Sequence, residues 1–453
     1  MCFLKRLIFT NKSIGSHRDH MVKKIGFWSV LAIVMGSQIG SGVFMLPASL
    51  APYGKYSILG WLVSGLGAIC LALVFAGLCQ RLPRTGGPHA YVKEMFGLTP
   101  GFFTGWTYWV ISWVSTTAVI IASISYLSPF LGAQPPWVYL VLEILLLLSI
   151  TVLNLKGIHA AGDVEFILSV LKVIPLFLLP LVAMWYFKSD NFTLLPEIQA
   201  LPLSSKLSQV VLLTLWGFIG LETATTPAGS IDNPGKTIPR AIVVGTLCTA
   251  LLYLMSNIGI MGLVPGEILA HAKAPYVVAT HYLFGGNWHY LIAIIASIVC
   301  VGTLNAWMLA SGQIVLGLAE DQLMPASFAK KNAANAPALG LVVSSIGILP
   351  MLFLTMNVNI AQQITAIIDF SVVAFLFVYL MCVLAFIKIL LSEKSAWYHW
   401  LYSMGALLFC VWVISQTSLL TLGISSLFIL SGLPVYWFWY RKQLRAMPLG
   451  LEC

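Results

Sequence analysis

The stretch Gly36-Ser37-Gln38-Ile39-Gly40-Ser41-Gly42 lies inside an apolar run over 27–51 that is long enough to cross a bilayer. Glycine gives up about 1 kcal/mol of helix preference against alanine, so this stretch is a poor way to continue a membrane helix. Backbone left unpaired at membrane depth persists only where it is buried in protein or lines a cavity. The alternative is a small-residue stripe for helix packing, but Gly40 and Gly42 flank a serine and form no GxxxG ridge. The spacing therefore predicts a helix broken at mid-membrane, facing a cavity.

Composition supports the membrane reading. The chain has 453 residues, 59% hydrophobic and 9% charged, against about 25% charged in a soluble domain. That excludes a soluble enzyme, a nucleic-acid-binding domain and a disordered chain. Continuous apolar runs, with none of the alternation of barrel strands, exclude a membrane barrel. The runs predict an all-α integral membrane protein with twelve transmembrane helices, over about 27–51, 57–79, 101–128, 137–155, 164–187, 207–230, 240–264, 289–318, 337–356, 364–388, 398–416 and 418–440.

The Lys and Arg residues orient these spans. With both termini cytoplasmic, only Lys55, Lys188, Lys206 and Lys273 fall outside and Lys172 falls within a span; every other Lys and Arg lies on the inner side. This fits the positive-inside rule with an even number of spans. It also accounts for the formal net charge of +9: the basic side faces an anionic leaflet and requires no nucleic acid. The eight cysteines form no CxxC pair and read as small apolar residues within helices. No cleavable signal peptide is expected, and Met21 is a candidate translation start.

A second break matches the first. Span six contains Trp216-Gly217-Phe218-Ile219-Gly220-Leu221-Glu222, followed by Thr223, Thr225, Thr226 and Pro227. Breaks at corresponding positions of two halves point to a secondary transporter built as an inverted repeat. The half-helix that begins after the first break turns its free N–H groups to the cavity, which favours a carboxylate. Carbonyls freed in the other break accept an ammonium group. A zwitterionic amino acid satisfies both ends.

Gly40-Ser41-Gly42-Val43-Phe44 with Leu46-Pro47, Gly86-Gly87-Pro88 with Tyr91 and Phe96-Gly97, Trp216 to Glu222, and Asn233-Pro234 to Ile238-Pro239-Arg240 carry a family resemblance. Over about 23–445 the chain resembles the amino acid–polyamine–organocation superfamily. Within it the chain looks most like the basic amino acid/polyamine antiporters, in particular bacterial arginine/agmatine antiporters. The resemblance implies a leucine-transporter-like 5+5 inverted repeat in one transporter domain. The repeats would cover about 27–187 and 207–388, two extra helices 398–440, and short cytoplasmic tails 1–22 and 446–453.

It also implies site roles. Gly40, Ser41 and Gly42 would hold the substrate α-carboxylate, and Ile219 and Gly220 the α-amino group. Trp216 would stack on the substrate, and Trp307 would close the site toward the cytoplasm. Tyr108, Glu222 and Tyr379 match an outer gate, and Ser371 a serine near the far end of the substrate. Trp216 and Trp307 sit mid-span, where an interfacial belt does not explain them, and tryptophan is the best cation–π partner. Thr116 stands where the antiporter has an asparagine, with Ile111, Ser112, Ser115 and Val119 as its neighbours, and Gln38 replaces an apolar residue.

Four more ionisable residues remain. Lys172, in span five, matches a lysine of proton-coupled relatives; it reads equally as a proton carrier or as a fixed cation bonded to span-one carbonyls. Asp369 in span ten is placed to pair with a cationic substrate or with Lys172. Glu143 in span four reads as facing a neighbouring helix or subunit. His89 stands where the antiporter has a pH-sensing tyrosine, and histidine titrates near neutral pH; a loop histidine of no consequence is the plainer reading.

Two transport readings stand at this level: an exchanger of arginine-, ornithine- or lysine-type amino acids for an amine or another amino acid, and a proton-coupled symporter using Lys172. A transporter-like sensor is a third, without the extra domain such a sensor would need. No metal cluster, nucleophile triad or Walker motif is present in the sequence, so no enzyme, ATP-driven pump, metal or cofactor is expected. The partners expected are a small-molecule amino acid or amine and the lipid bilayer, and the resemblance implies a homodimer in a cell inner membrane.

Overall fold

The structure is a computed structural model that describes residues 24–132, 134–272, 274–356 and 360–446. The tail over 1–22 with Met21, Lys273, and the tail beyond Ala446 lie outside the described residues.

Among the described residues eleven helices are long and apolar enough to cross a membrane, and a half-length helix in span six completes twelve passes. The first, α1, is broken into Phe27–Gln38 and Ser41–Leu50. Then come α2 (Tyr56–Arg81), α3 (Leu98–Ser125), α4 (Pro136–Leu155), α5 (Ile158–Ala183) and α6 (Leu203–Trp216). The second half holds α7 (Pro234–Leu263), α8 (Trp288–Glu320), α9 (Ala338–Thr355), α10 (Ile360–Ser392), α11 (Trp397–Gln416) and α12 (Leu419–Leu430, resuming as Leu433–Ala446). At 1.5 Å per residue, the 26 residues of α2 reach across the roughly 30 Å hydrocarbon layer, whereas each piece of α1 reaches about halfway.

Local sequence sets the breaks. In α1 the helix stops at Gln38; Ile39 is extended, and Gly40 begins the second piece. In span six the helix stops at Trp216. Gly220 has φ +108°, a conformation that favours glycine. Beyond it the chain continues in short 3₁₀ turns, Thr223–Thr225 and Ala228–Ser230. Span six is therefore helical only over its first half, where the sequence predicts a single segment over 207–230. Pro88–Phe96 and Pro275–Phe284 are the longest of the short helices described between the spans.

The packing repeats itself. The most extensive contacts are α2 on α7 and α3 on α8, each joining equivalent helices of the two halves. Then α1 lies on α7 as α6 lies on α2, and α5 on α8 as α10 on α3. Equivalent pairs related in this way are what a 5+5 inverted repeat requires. α11 and α12 sit outside it, on α2, α3 and α10. Both described chain ends share one face with Arg81, Arg84, Lys93, Lys331 and Lys388; Lys55, Lys188 and Lys206 are on the other. The first is called the basic face below. There Ile25 and Ile231 form a parallel bridge that ties the start of α1 to the end of span six.

Candidate functional site

A helix leaves its last four carbonyls without partners. At the break in α1 the protein supplies one for each of the last four before Gly40. Lys172 Nζ donates to Gly36 O at 2.9 Å and to Ile39 O at 3.3 Å. Thr303 Oγ1 donates to the same two at 3.1 and 2.7 Å. Trp307 Nε1 donates to Ser37 O at 3.2 Å and Tyr253 OH to Gln38 O at 2.7 Å. The carbonyl end of the break is thus closed by α5, α7 and α8. The amino end of the next piece, at Ser41 and Gly42, opens onto a cavity.

That cavity is lined by Ser37, Gln38, Gly40, Ser41, Gly42, Ser115, Val119, Trp216, Ile219, Thr303 and Trp307, with no charged side chain among them. Its volume is about 20 Å³, room for about one water. Admission of an amino acid requires aromatic side chains to move. Both approaches are tight. A Cβ on Gly42 would sit 2.9 Å from Trp216 Cδ1, and one on Gly40 2.8 Å from Thr303, so only glycine lets these neighbours close on the break.

Of the residues singled out in the sequence, Gly40, Ser41, Gly42, Trp216, Ile219 and Trp307 meet at this cavity. Gly220 stands just behind it: its carbonyl accepts from Ser37 Oγ at 2.8 Å. Ser112 and Thr116 do not reach the cavity. Their hydroxyls donate back to Trp109 O at 2.7 Å and Trp113 O at 2.6 Å. Ser115 and Val119, one turn apart, present the α3 face instead. Ser371 is buried without lining the cavity, and its hydroxyl has no hydrogen-bond partner among the described residues. Ser37 and Thr303 received no role from the sequence, although Ser37 stands within the first quoted stretch.

Glu222 is fully buried. Tyr379 OH donates to its Oε2 at 2.5 Å, and Gly220 N donates to Tyr379 OH at 3.3 Å. Glu222 Oε1 and Tyr108 OH make no well-formed hydrogen bond among the described residues. Trp307, Phe375, Tyr379 and Tyr108 form an aromatic plug, with ring centroids 5.2 to 6.3 Å apart. The resemblance makes Tyr108, Glu222 and Tyr379 an outer gate. The chain runs from Lys206 past Trp216 and Glu222 to Thr226, whose carbonyl accepts from Gly86 N at 2.8 Å. The cluster therefore lies between the cavity and the basic face.

Among the described residues Lys172 has one carboxylate partner, and it is not Asp369. Glu165 Oε1 lies 3.4 Å from Lys172 Nζ, and both side chains are fully buried. Glu165 went unnoticed in the sequence. Its signal was there: seven residues apart on one helix, the two lie two turns apart on one face. Asp369 is half-buried on α10 and acts electrostatically on Tyr53, at the other end of α1 from the basic face. Glu143 is buried on α4.

At the basic face, fully buried His89 reaches Asp321 Oδ2 at 3.2 Å, and Lys93 reaches Oδ1 at 2.9 Å. Partial burial raises the Asp321 carboxyl, but the hydrogen bonds and charges of His89 and Lys93 outweigh it and hold the group down at about 2, below its ordinary 3.8. A depressed carboxylate contributes stability above its unfolded value and loses it as pH falls toward the folded one. We expect the melting temperature of the purified protein to fall between about pH 5 and about pH 2. Asp321→Asn should flatten part of that fall; an unchanged profile would show that the cluster contributes nothing.

The amino acid permease family matches this chain over residues 25–440. The chain is 29% identical to the putrescine transporter PotE of Haemophilus influenzae, covering 82% of this chain and 86% of that one. It is 29% identical to the cadaverine/lysine antiporter of Escherichia coli K12, covering 75% and 76%. It is 28% identical to a putative arginine/ornithine antiporter of Bacillus subtilis, covering 82% and 86%. Twelve membrane passes around two matched breaks, with a family match across almost their whole length, place the chain in the amino acid permease family: it is a multi-pass membrane transporter and not an enzyme.

Proposed function

We propose that this protein is an antiporter that exchanges an arginine-, ornithine- or lysine-type amino acid for an amine or another amino acid. We place it in a cell inner membrane as a homodimer, the basic face and both termini toward the cytoplasm. The observation that carries the reading is the asymmetry of the α1 break. Its carbonyl end is bonded by protein groups, and its amino end faces the cavity between Trp216 and Trp307. A substrate carboxylate is stabilised there by free N–H groups and the half-helix dipole. The two indoles offer faces to an ammonium or guanidinium. The names of the relatives support both the exchange and the basic substrate class.

In this reading Gly40, Ser41 and Gly42 hold the carboxylate, Ile219 and Gly220 contact the amino group, and Trp307 with Tyr108, Glu222 and Tyr379 forms the gate toward the basic face. Glu222, flanked by the Tyr108 and Tyr379 hydroxyls, suits a cationic end group. Glu222→Gln should slow exchange of lysine and arginine about tenfold more than exchange of a neutral amino acid, a charge-assisted hydrogen bond being lost. Equal slowing of both would remove Glu222 from charge recognition.

The test is uptake of labelled arginine, ornithine, lysine, putrescine and cadaverine into proteoliposomes. Uptake only into vesicles preloaded with one of these compounds supports exchange. Uptake into empty vesicles driven by a pH gradient would replace it with proton symport.

A further inference from the structure

The buried pair Glu165–Lys172 lies behind the α1 break, outside the cavity lining. Its hydrogen bonds can be counted atom by atom. The Lys172 ammonium carries three protons and has three acceptors: Gly36 O, Ile39 O and Glu165 Oε1. On the Glu165 carboxylate, Lys172 donates to Oε1 at 3.4 Å and Asn305 Nδ2 to Oε2 at 3.0 Å, while the one Ser169 hydroxyl proton is shared between Oε1 and Ala32 O, each at 3.2 Å. Asn305 is held in turn by Ala161 O and Asn154, each at 3.0 Å. The carboxylate also touches the break itself: a Cβ on Gly36 would lie 1.9 Å from Glu165 Oε1. Among the other neighbours, α8 brings the Cys300 thiol into electrostatic reach of Lys172. α7 brings Tyr253 to the adjacent Gln38 carbonyl, and α4 brings uncharged Asn154.

We propose that Glu165 is a positioning residue that keeps Lys172 charged throughout the cycle, so that the pair is a fixed ionic clamp on the broken first helix and not a proton-loading site. Three acceptors for three ammonium protons, and a carboxylate that takes both the Lys172 and the Asn305 N–H, hold the proton on Lys172. Removing the carboxylate charge strands the ammonium in a dry site, where it becomes exchangeable. The inference rests on the exchanger reading only for its transport readout.

The experiment compares wild type, Glu165→Gln, Lys172→Met and the double variant, all full-length and purified. The first readout is melting temperature between about pH 6 and about pH 9. In Glu165→Gln the unfolded chain binds the lysine proton more tightly than the folded one, so stability rises with pH. The deficit against wild type should therefore shrink as pH rises, and the double variant should show a constant difference. A merely structural hydrogen bond gives a deficit that does not change with pH, and that result overturns the proposal. If Glu165→Gln does not accumulate, folded yields of Lys172→Met and the double variant decide. Recovery in the double supports the clamp, and no recovery overturns it. The second readout is exchange of labelled arginine at equal pH on both sides. Wild type should be within about twofold across the range, and Glu165→Gln should lose about tenfold toward high pH. Parallel profiles overturn the proposal. If wild type exchanges none of the five probe compounds, the functional reading fails, and melting alone decides on the clamp.

Discussion

Trp216→Ala is expected to weaken substrate binding by about 10- to 100-fold. The indole ends the α6 helix at the point where the chain breaks, and its Cδ1 lies so close to Gly42 that no other residue fits there. It therefore covers the N–H groups that would receive a carboxylate, and in the proposed reading it stacks on the substrate. Alanine removes the stacking partner and leaves the cavity open on one side, so both contact and closure are lost. Trp216→Phe keeps a π-face of smaller area and should recover part of the affinity. Titration of purified protein with lysine, arginine and ornithine measures this directly, and wild-type affinity in the alanine variant would remove Trp216 from the site.

Lys172→Ala is expected to cost about 3–5 kcal/mol of stability, the usual consequence of removing one member of a buried ion pair. Glu165 would remain fully buried without its cation, and Gly36 O would keep only Thr303. Removal of a neighbouring hydroxyl, as in Ser169→Ala, takes away one neutral donor and should cost about 1 kcal/mol. Melting temperatures of the two variants in the same detergent give the comparison. A loss for Lys172→Ala no larger than that for Ser169→Ala would mean the site is wet or flexible enough to hold a lone carboxylate.

Much of the architecture was legible because membrane depth turns local sequence into strong constraints. Apolar length gave the spans, and the glycines at 36, 40 and 42 and at 217 and 220 marked the breaks, since clustered glycines leave backbone poorly committed to a helix. What could not be read was orientation about a helix axis. Thr116 and Ser115 differ by one position and both hydroxyls bond back to their own helix, yet a step of about 100° puts only Ser115 on the cavity wall. Partner choice was equally hidden. Asp369 and Glu165 are both carboxylates in spans; the seven-residue spacing already put Glu165 on the face of Lys172, and only the fold shows that Asp369 lies near Tyr53 instead. The side of the Tyr108–Glu222–Tyr379 cluster became plain only once Thr226 was seen to meet Gly86.

The closed carbonyl end of the first break also bears on biogenesis. A chain made from its amino end inserts α1 long before its partners exist: Lys172 follows Gly36 by 136 residues and Trp307 follows Ser37 by 270. Until α8 emerges, carbonyls at mid-membrane depth lack the groups that will hold them, a costly arrangement in lipid. The newborn first helix must meanwhile stay near water or the insertion machinery, and it settles into the bilayer only as the second half of the protein arrives. Nascent chains stalled before Trp307 should therefore be prime substrates for membrane quality-control proteases.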